Sequence, residues 1–178
     1  SYTIKEAIHD AAVLGFMVET LGPQDKSADE SVFETETHMR EVLNVILNKS
    51  YAKFGMQRGR GRTYEALLTV KSIARAQKYY ELLSRIKSGE DELKINEEIY
   101  KTLPDFPKFA ITYSVSENDE ASQVNQEKMQ KSIDDYNGMF GTNYKIDGIN
   151  AYNRNLNERL ARKDKKYCDR SQQLDLVI

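Results

Sequence analysis

From residue 64 onward the sequence alternates short apolar runs with longer stretches of helical periodicity, and this alternation limits the fold more than any other feature. The runs YEALLTV at 64–70, FAITY at 109–113 and LDLVI at 174–178 have the length of strands. Two helical stretches separate each run from the next. Strand, helix, helix, strand, helix, helix, strand is the order of parallel βαβ units, because a parallel neighbour needs a crossover long enough to hold a helix. The expected fold class is α/β: a parallel sheet flanked by helices, with extra helical and loop insertions. Right-handed crossovers would put helices on both faces. The unbroken apolar character of 64–70 predicts a strand buried on both sides. Three strands are few for a complete doubly wound domain. In open sheets of this kind a ligand lies beyond the carboxyl ends of the strands. Those ends are Val70-Lys71-Ser72, Tyr113-Ser114 and whatever follows Ile178.

The helices carry local signals. Ser72 can cap a helix over 73–87, and Gly89 stands where a C-terminal cap belongs. A second helix is expected over 92–101, ended by Pro104 and Pro107. The polar, acidic stretch 116–123 reads as a loop. Met129, Ile133, Tyr136 and Phe140 then mark a helix over 126–140, and another is expected over 150–163. Before residue 64 the pattern is less regular. Ile4, Ala7, Ile8 and Ala11 predict a short helix, started by Thr3 and Glu6 at capping-box spacing. Residues 13–19 read as a short strand, and 20–36 as an acidic loop broken by Gly22-Pro23. Residues 38–49 read as a helix with Met39, Val42, Leu43, Ile46 and Leu47 on one face.

A chain of 178 residues is about one domain, at roughly 100–200 residues per domain. No apolar run approaches the ~18–20 residues of a membrane span, and the first residues lack the basic-then-apolar order of a signal peptide. There is no initiator Met and the chain stops on an apolar run, so both ends read as cut points in a longer protein. One cysteine, Cys168, excludes an intrachain disulfide and a multi-cysteine zinc site; it reads as a free thiol. His9 and His38 are far apart and offer no metal pair or triad, and His38 reads as exposed. With 26 basic against 28 acidic residues the chain is not a globally basic nucleic-acid binder, so such contacts must come from local patches.

No phosphate loop of the G-x-x-x-x-G-K-S/T type is present, and no G-x-G-x-x-G follows a strand. Gly59-Arg-Gly61 precedes a strand instead of opening a helix. No catalytic residue and no metal ligand is therefore expected. The densest basic feature lies between Lys49 and Lys78, with eight basic residues and one acidic, Glu65. Within it, Arg58, Arg60 and Arg62 alternate with glycine. Arginine forks onto phosphate oxygens and glycine lets the backbone approach; the alternative is a solvated loop. Lys71, Ser72 and Arg75 fall at a strand end and in the first turn of a helix, where backbone N–H groups favour an anion. The alternative there is that Ser72 is only a cap. Arg154, Arg159, Arg162, Lys163, Lys165 and Lys166 form a second basic cluster, read as a solvated helix face on which Arg159 and Lys163 are four apart. Tyr79, Tyr80 and Tyr136 read as packing residues more than as base-stacking ones.

Four segments together carry a resemblance: SYTIKEAIHDAAVLGF at 1–16, YEALLTVKSIARAQKYY at 64–80, YNRNLNERL at 152–160 and LDLVI at 174–178. Their order resembles the motor and endonuclease (R) subunit of type I restriction-modification enzymes, over essentially the whole chain. The resemblance implies a partial RecA-like sheet. Residues 1–49 would be a helix–strand–loop–helix lead-in, and 50–178 the first part of the second RecA-like helicase domain. It implies a parent enzyme that translocates and cleaves double-stranded DNA in a bacterial or archaeal cytoplasm, with modification and specificity subunits as partners. ATP and magnesium would be bound mainly by the first domain, outside this chain. Residues 70–75 fall at the place of helicase motif IV, so Lys71, Ser72 and Arg75 become DNA-backbone contacts, with Tyr113 and Ser114 at the functional end of the next strand. Motifs V and VI would follow residue 178, so the chain alone is expected to be inactive. The competing readings are a stand-alone α/β module that binds nucleic acid or protein, and a small-ligand α/β domain.

Overall fold

The structure, a computed structural model, describes Glu6, His9 and residues 30–50, 65–113 and 120–178. The chain divides into two compact units, Ser1–Phe33 and Glu34–Ile178. In the first, Glu6 and His9 are helical. The expected strand at 13–19 and the Arg-Gly segment at 53–62 lie outside the described residues.

The second unit opens with helix α1 (Glu36–Asn44), which runs on as a π-helical turn, Val45–Lys49. Its Met39, Leu43 and Leu47 are buried, as their spacing predicts. Strand β1 (Ala66–Leu67) leads to helix α2 (Ile73–Ser88). Ser72 caps α2 in extended conformation, its Oγ accepting from the Arg75 N–H. Gly89, at φ 79°, ends it: its N–H donates to Ile86 and that of Glu90 to Arg85. A left-handed residue is cheapest as glycine, so this stop is written in the sequence. Helix α3 (Glu97–Thr102), strand β2 (Phe109–Ala110), helix α4 (Glu120–Phe140), helix α5 (Ile149–Leu160) and strand β3 (Leu176–Val177) follow.

The three strands form one parallel sheet in the order β1-β3-β2. Leu176 pairs with both Ala66 and Phe109, and Val177 with both Leu67 and Ala110. This is a partial α/β architecture of RecA-like type. Leu43, Leu83, Ile133, Tyr152 and Leu174 are among the side chains sealed in its core. Tyr79, Tyr80 and Tyr136 are packing residues: Tyr136 lies 4.8 Å from Phe140 and 5.0 Å from Tyr152, ring to ring. Among the described residues no helix is long and apolar enough to cross a membrane.

Several expectations need correction. The run 64–70 is not buried on both faces. Ala66, Leu68 and Val70 are half-buried while Leu67 and Thr69 face out, with Leu67 71% exposed. That alternation is the mark of one covered face. Among the described residues β1 pairs on one side only, with β3, so within that sheet the apolar run serves an edge. The helix expected at 92–101 starts only at Glu97. Asp91 is buried and its carboxylate takes the Leu93 N–H and the Arg40 guanidinium, a local bond that competes with helix formation. The loop expected over 20–36 holds a 3-10 turn at Glu30–Glu34, and Thr35 caps α1 through the His38 N–H. The loop expected at 116–123 gives way to helix at Glu120, since acidic residues suit a helix start. The helix expected to reach 163 stops at Leu160, with Arg162 turning the chain at φ 47°. His38 is half-buried, 3.9 Å from Glu41. Cys168 needs no correction: it is an exposed free thiol, as expected.

The second basic cluster is not one solvated face. Arg159 is 3% exposed, its guanidinium 3.9 Å from the Phe140 ring and 5.0 Å from that of Tyr167. Arg162 pairs with Glu65 at 2.6 Å, and Lys163 lies past the helix end. A further charged group, unforeseen, joins the amino ends of β2 and β3. Asp175 is fully buried and accepts from Arg170 Nη1 and Nη2 at 2.5 and 2.8 Å and from the Lys108 N–H at 2.7 Å. Arg170 and Lys108 also hold Asp105, at 2.8 Å each.

Candidate functional site

The carboxyl ends of the three strands open onto a cavity of about 400 Å³, lined by Leu67, Val70, Lys71, Ser72, Tyr113 and Ile178 among others. This is where an open parallel sheet presents ligands. The lining is mainly apolar, with Lys71 as its charged side chain.

Lys71 is 65% exposed and its Nζ lies 2.6 Å from Glu34 Oε1. Arg75, in the first turn of α2, is 15% exposed and its Nη1 lies 3.6 Å from the same oxygen. The hydrogen bond from Lys71, and next its charge, holds the Glu34 carboxyl below the usual range; Arg75 and Lys78 add to this. Ser72 acts as the cap, its Oγ 3.2 Å from the Arg75 N–H. The structure thus brings Lys71, Ser72 and Arg75 together at one helix start, with the anion-favouring end of a 16-residue helix beside two cations.

Tyr113 contributes its ring to the cavity wall, but its hydroxyl is tied down. It accepts from Gln77 Nε2 at 3.0 Å and donates to the Asn125 carbonyl at 2.9 Å, and burial raises its pKa. Gln77 also donates to Asn125 Oδ1 at 2.8 Å, so the phenol joins α2 to α4. Ser114, Arg58, Arg60 and Arg62 lie outside the described residues. Glu34 and Gln77 are the neighbours that sequence reasoning missed. Glu34 sits in an acidic stretch with no signal to pair it with Lys71. Gln77 stands on the apolar side of α2, where a lone buried amide was its only hint.

The ATP and magnesium implied by the resemblance do not fit the residues at this cavity. No group of three His, Cys, Asp or Glu able to hold a metal occurs among the described residues. The β1–α2 connection has no glycine to cradle a triphosphate.

Residues 62–178 match the family described as type I restriction enzyme subunit R domain 3. The chain is similar to the endonuclease subunit of the type I restriction enzyme SauCOLORF180P of Staphylococcus aureus, 28% identical over 180 residues that cover 93% of this chain and 18% of the relative. It is also similar to the SsaAORF53P endonuclease subunit of Staphylococcus saprophyticus, 30% identical over 159 residues, covering 80% of this chain and 15% of the relative. The chain therefore spans less than a fifth of the length of these relatives. With the family match over most of its length and a parallel sheet of the expected kind, the chain belongs to the family of type I restriction enzyme subunit R domain 3.

Proposed function

We propose that this chain works within the ATP-dependent, DNA-translocating endonuclease subunit of a type I restriction enzyme. Residues 50–178 form the first part of its second RecA-like domain, and 1–49 lead into it. The chain contributes contacts to the phosphate backbone of double-stranded DNA and no catalytic residue of its own. ATP and magnesium bind elsewhere in the parent subunit, whose partners are the modification and specificity subunits.

The observation that carries this reading is the gathering of Lys71 and Arg75 at the Ser72-capped start of α2, on the carboxyl edge of the parallel sheet. Cations and a helix start suit phosphate, and neither reads base sequence, which is what a motor moving along any duplex requires. Tyr113 and Ser114 flank this edge in sequence, and Arg58, Arg60 and Arg62 precede β1 as a second set of phosphate contacts.

The test is binding of the 178-residue chain to duplex and single-stranded oligonucleotides over a salt series. Each lost phosphate contact lowers the slope of log affinity against log salt by about 0.9 on a duplex, so Lys71→Ala with Arg75→Ala should flatten it by about 1.8. Arg58, Arg60 and Arg62 changed together to Ala should flatten it by up to about 2.7. Unchanged affinity and slope in both variants would refute the reading.

A further inference from the structure

We propose that Glu34 is a built-in competitor for the phosphate that Lys71 and Arg75 bind, so that the backbone-contact site is held shut until DNA displaces its carboxylate. This rests on the reading above, and it concerns regulation of that same site. One oxygen, Glu34 Oε1, lies within reach of both cations, 2.6 Å from Lys71 Nζ and 3.6 Å from Arg75 Nη1. A carboxylate offers these cations the same kind of anionic oxygen as a phosphate does. Bridging both, Glu34 occupies the position that a backbone phosphate would take.

The three side chains differ in freedom. Arg75 is mostly buried and fixed by α2, so it cannot follow a phosphate far. Lys71 and Glu34 are both about half or more exposed, on flexible stems. Glu34 ends a 3-10 turn and precedes α1, whose start is fixed by the Thr35 cap at 3.2 Å from the His38 N–H. The carboxylate can therefore swing out without breaking α1. An exposed pair of this kind is weak, which a competitor must be: it aims Lys71 in free protein and yields to a polyanion.

The experiment compares Glu34→Gln with the parent chain for affinity to a fluorescein-labelled duplex of mixed sequence, across salt. Glu34→Gln should bind about threefold to tenfold tighter at low salt, with the gain shrinking as salt screens the carboxylate. Glu97→Gln, the same charge change on the exposed start of α3, should leave affinity unchanged and thereby separate local competition from net charge. In the Lys71→Ala, Arg75→Ala background Glu34→Gln should give no gain. If the double alanine variant weakens binding but Glu34→Gln does not tighten it, or loosens it, the competitor role is overturned and the phosphate reading stands. Equal tightening by Glu97→Gln also overturns it. If the double alanine variant binds as the parent does, the phosphate reading itself falls and the competitor role with it.

Discussion

Asp175→Ala is expected to destabilise the chain by about 3–5 kcal/mol, read as a lower urea midpoint at unchanged denaturant slope. Asp175 is fully buried in the segment that enters β3, the middle strand. Both Arg170 Nη atoms donate to it, and so does the Lys108 main-chain N–H, the bond that ties β2 to β3 at their amino ends. Truncation removes the acceptor while the partly buried charge of Arg170 stays, which is the costly way to break such a pair. A loss under about 1 kcal/mol would show that water or Asp105 takes over the role. Asp105 adds a pH dependence. Burial would raise its carboxyl, but hydrogen bonds from Lys108 and Arg170, with their charges, outweigh that and hold it below the usual range. A depressed carboxyl contributes stability above its ordinary pKa of about 3.9 and loses it as pH falls through the lower folded value. Asp105 is 40% exposed, so solvent screening keeps this acid lability small.

Arg159→Ala is expected to destabilise by about 3 kcal/mol and to leave DNA affinity unchanged. The guanidinium stacks near Phe140 and Tyr167. Its Nη1 donates to the Gln172 carbonyl at 2.7 Å, and its Nε donates to Asn155 Oδ1 at 3.0 Å. The same Asn155 oxygen accepts from the Tyr136 hydroxyl, so one arginine closes a network between α4, α5 and the segment before β3. Charged hydrogen bonds and ring contacts of this kind each contribute on the order of 1–2 kcal/mol, partly offset by burial. Arg159→Lys should recover little, because an ammonium lacks the planar fork that spans both acceptors. Thermal and urea unfolding, run beside a duplex titration, separate the two claims. A stable Arg159→Ala protein with weakened DNA binding would return Arg159 to the surface cluster that its neighbours in sequence suggest.

The same residue shows where sequence reasoning stops. Helix α2 was legible to within a residue, because Ser72 and Gly89 act within their own chain neighbourhood. The parallel direction of the strands was legible too, since strand–helix alternation calls for crossovers, whereas the order β1-β3-β2 was not. Arg159 was not, because its burial depends on rings from α4 and on the turn Lys165–Cys168, which spacing along α5 does not reveal. Asp91 delays α3 through Arg40, a partner about fifty residues earlier. At the candidate site, Lys71, Ser72 and Arg75 came from the strand-end rule, whereas Glu34 and Gln77 came only with the fold. Local chemistry is readable in sequence; the partners that neutralise or restrain it are supplied by packing.

Among the described residues the middle strand of the sheet is the last of the three in sequence, and this bears on how this part of the sheet is made. Among the described strands β1 and β2 bond to β3 and not to each other, so their shared ladder waits until residues near 176 leave the ribosome. Helix α2 can form early from local bonds, but its apolar face must wait for a surface to cover it. Pairings as distant as Ala66 with Leu176 make a slow-closing topology. During that wait the exposed runs at 64–70 and 109–113 are open to pairing between nascent chains. Yield on expression should therefore respond to chaperone supply and to temperature more than the helical content of the chain alone would suggest.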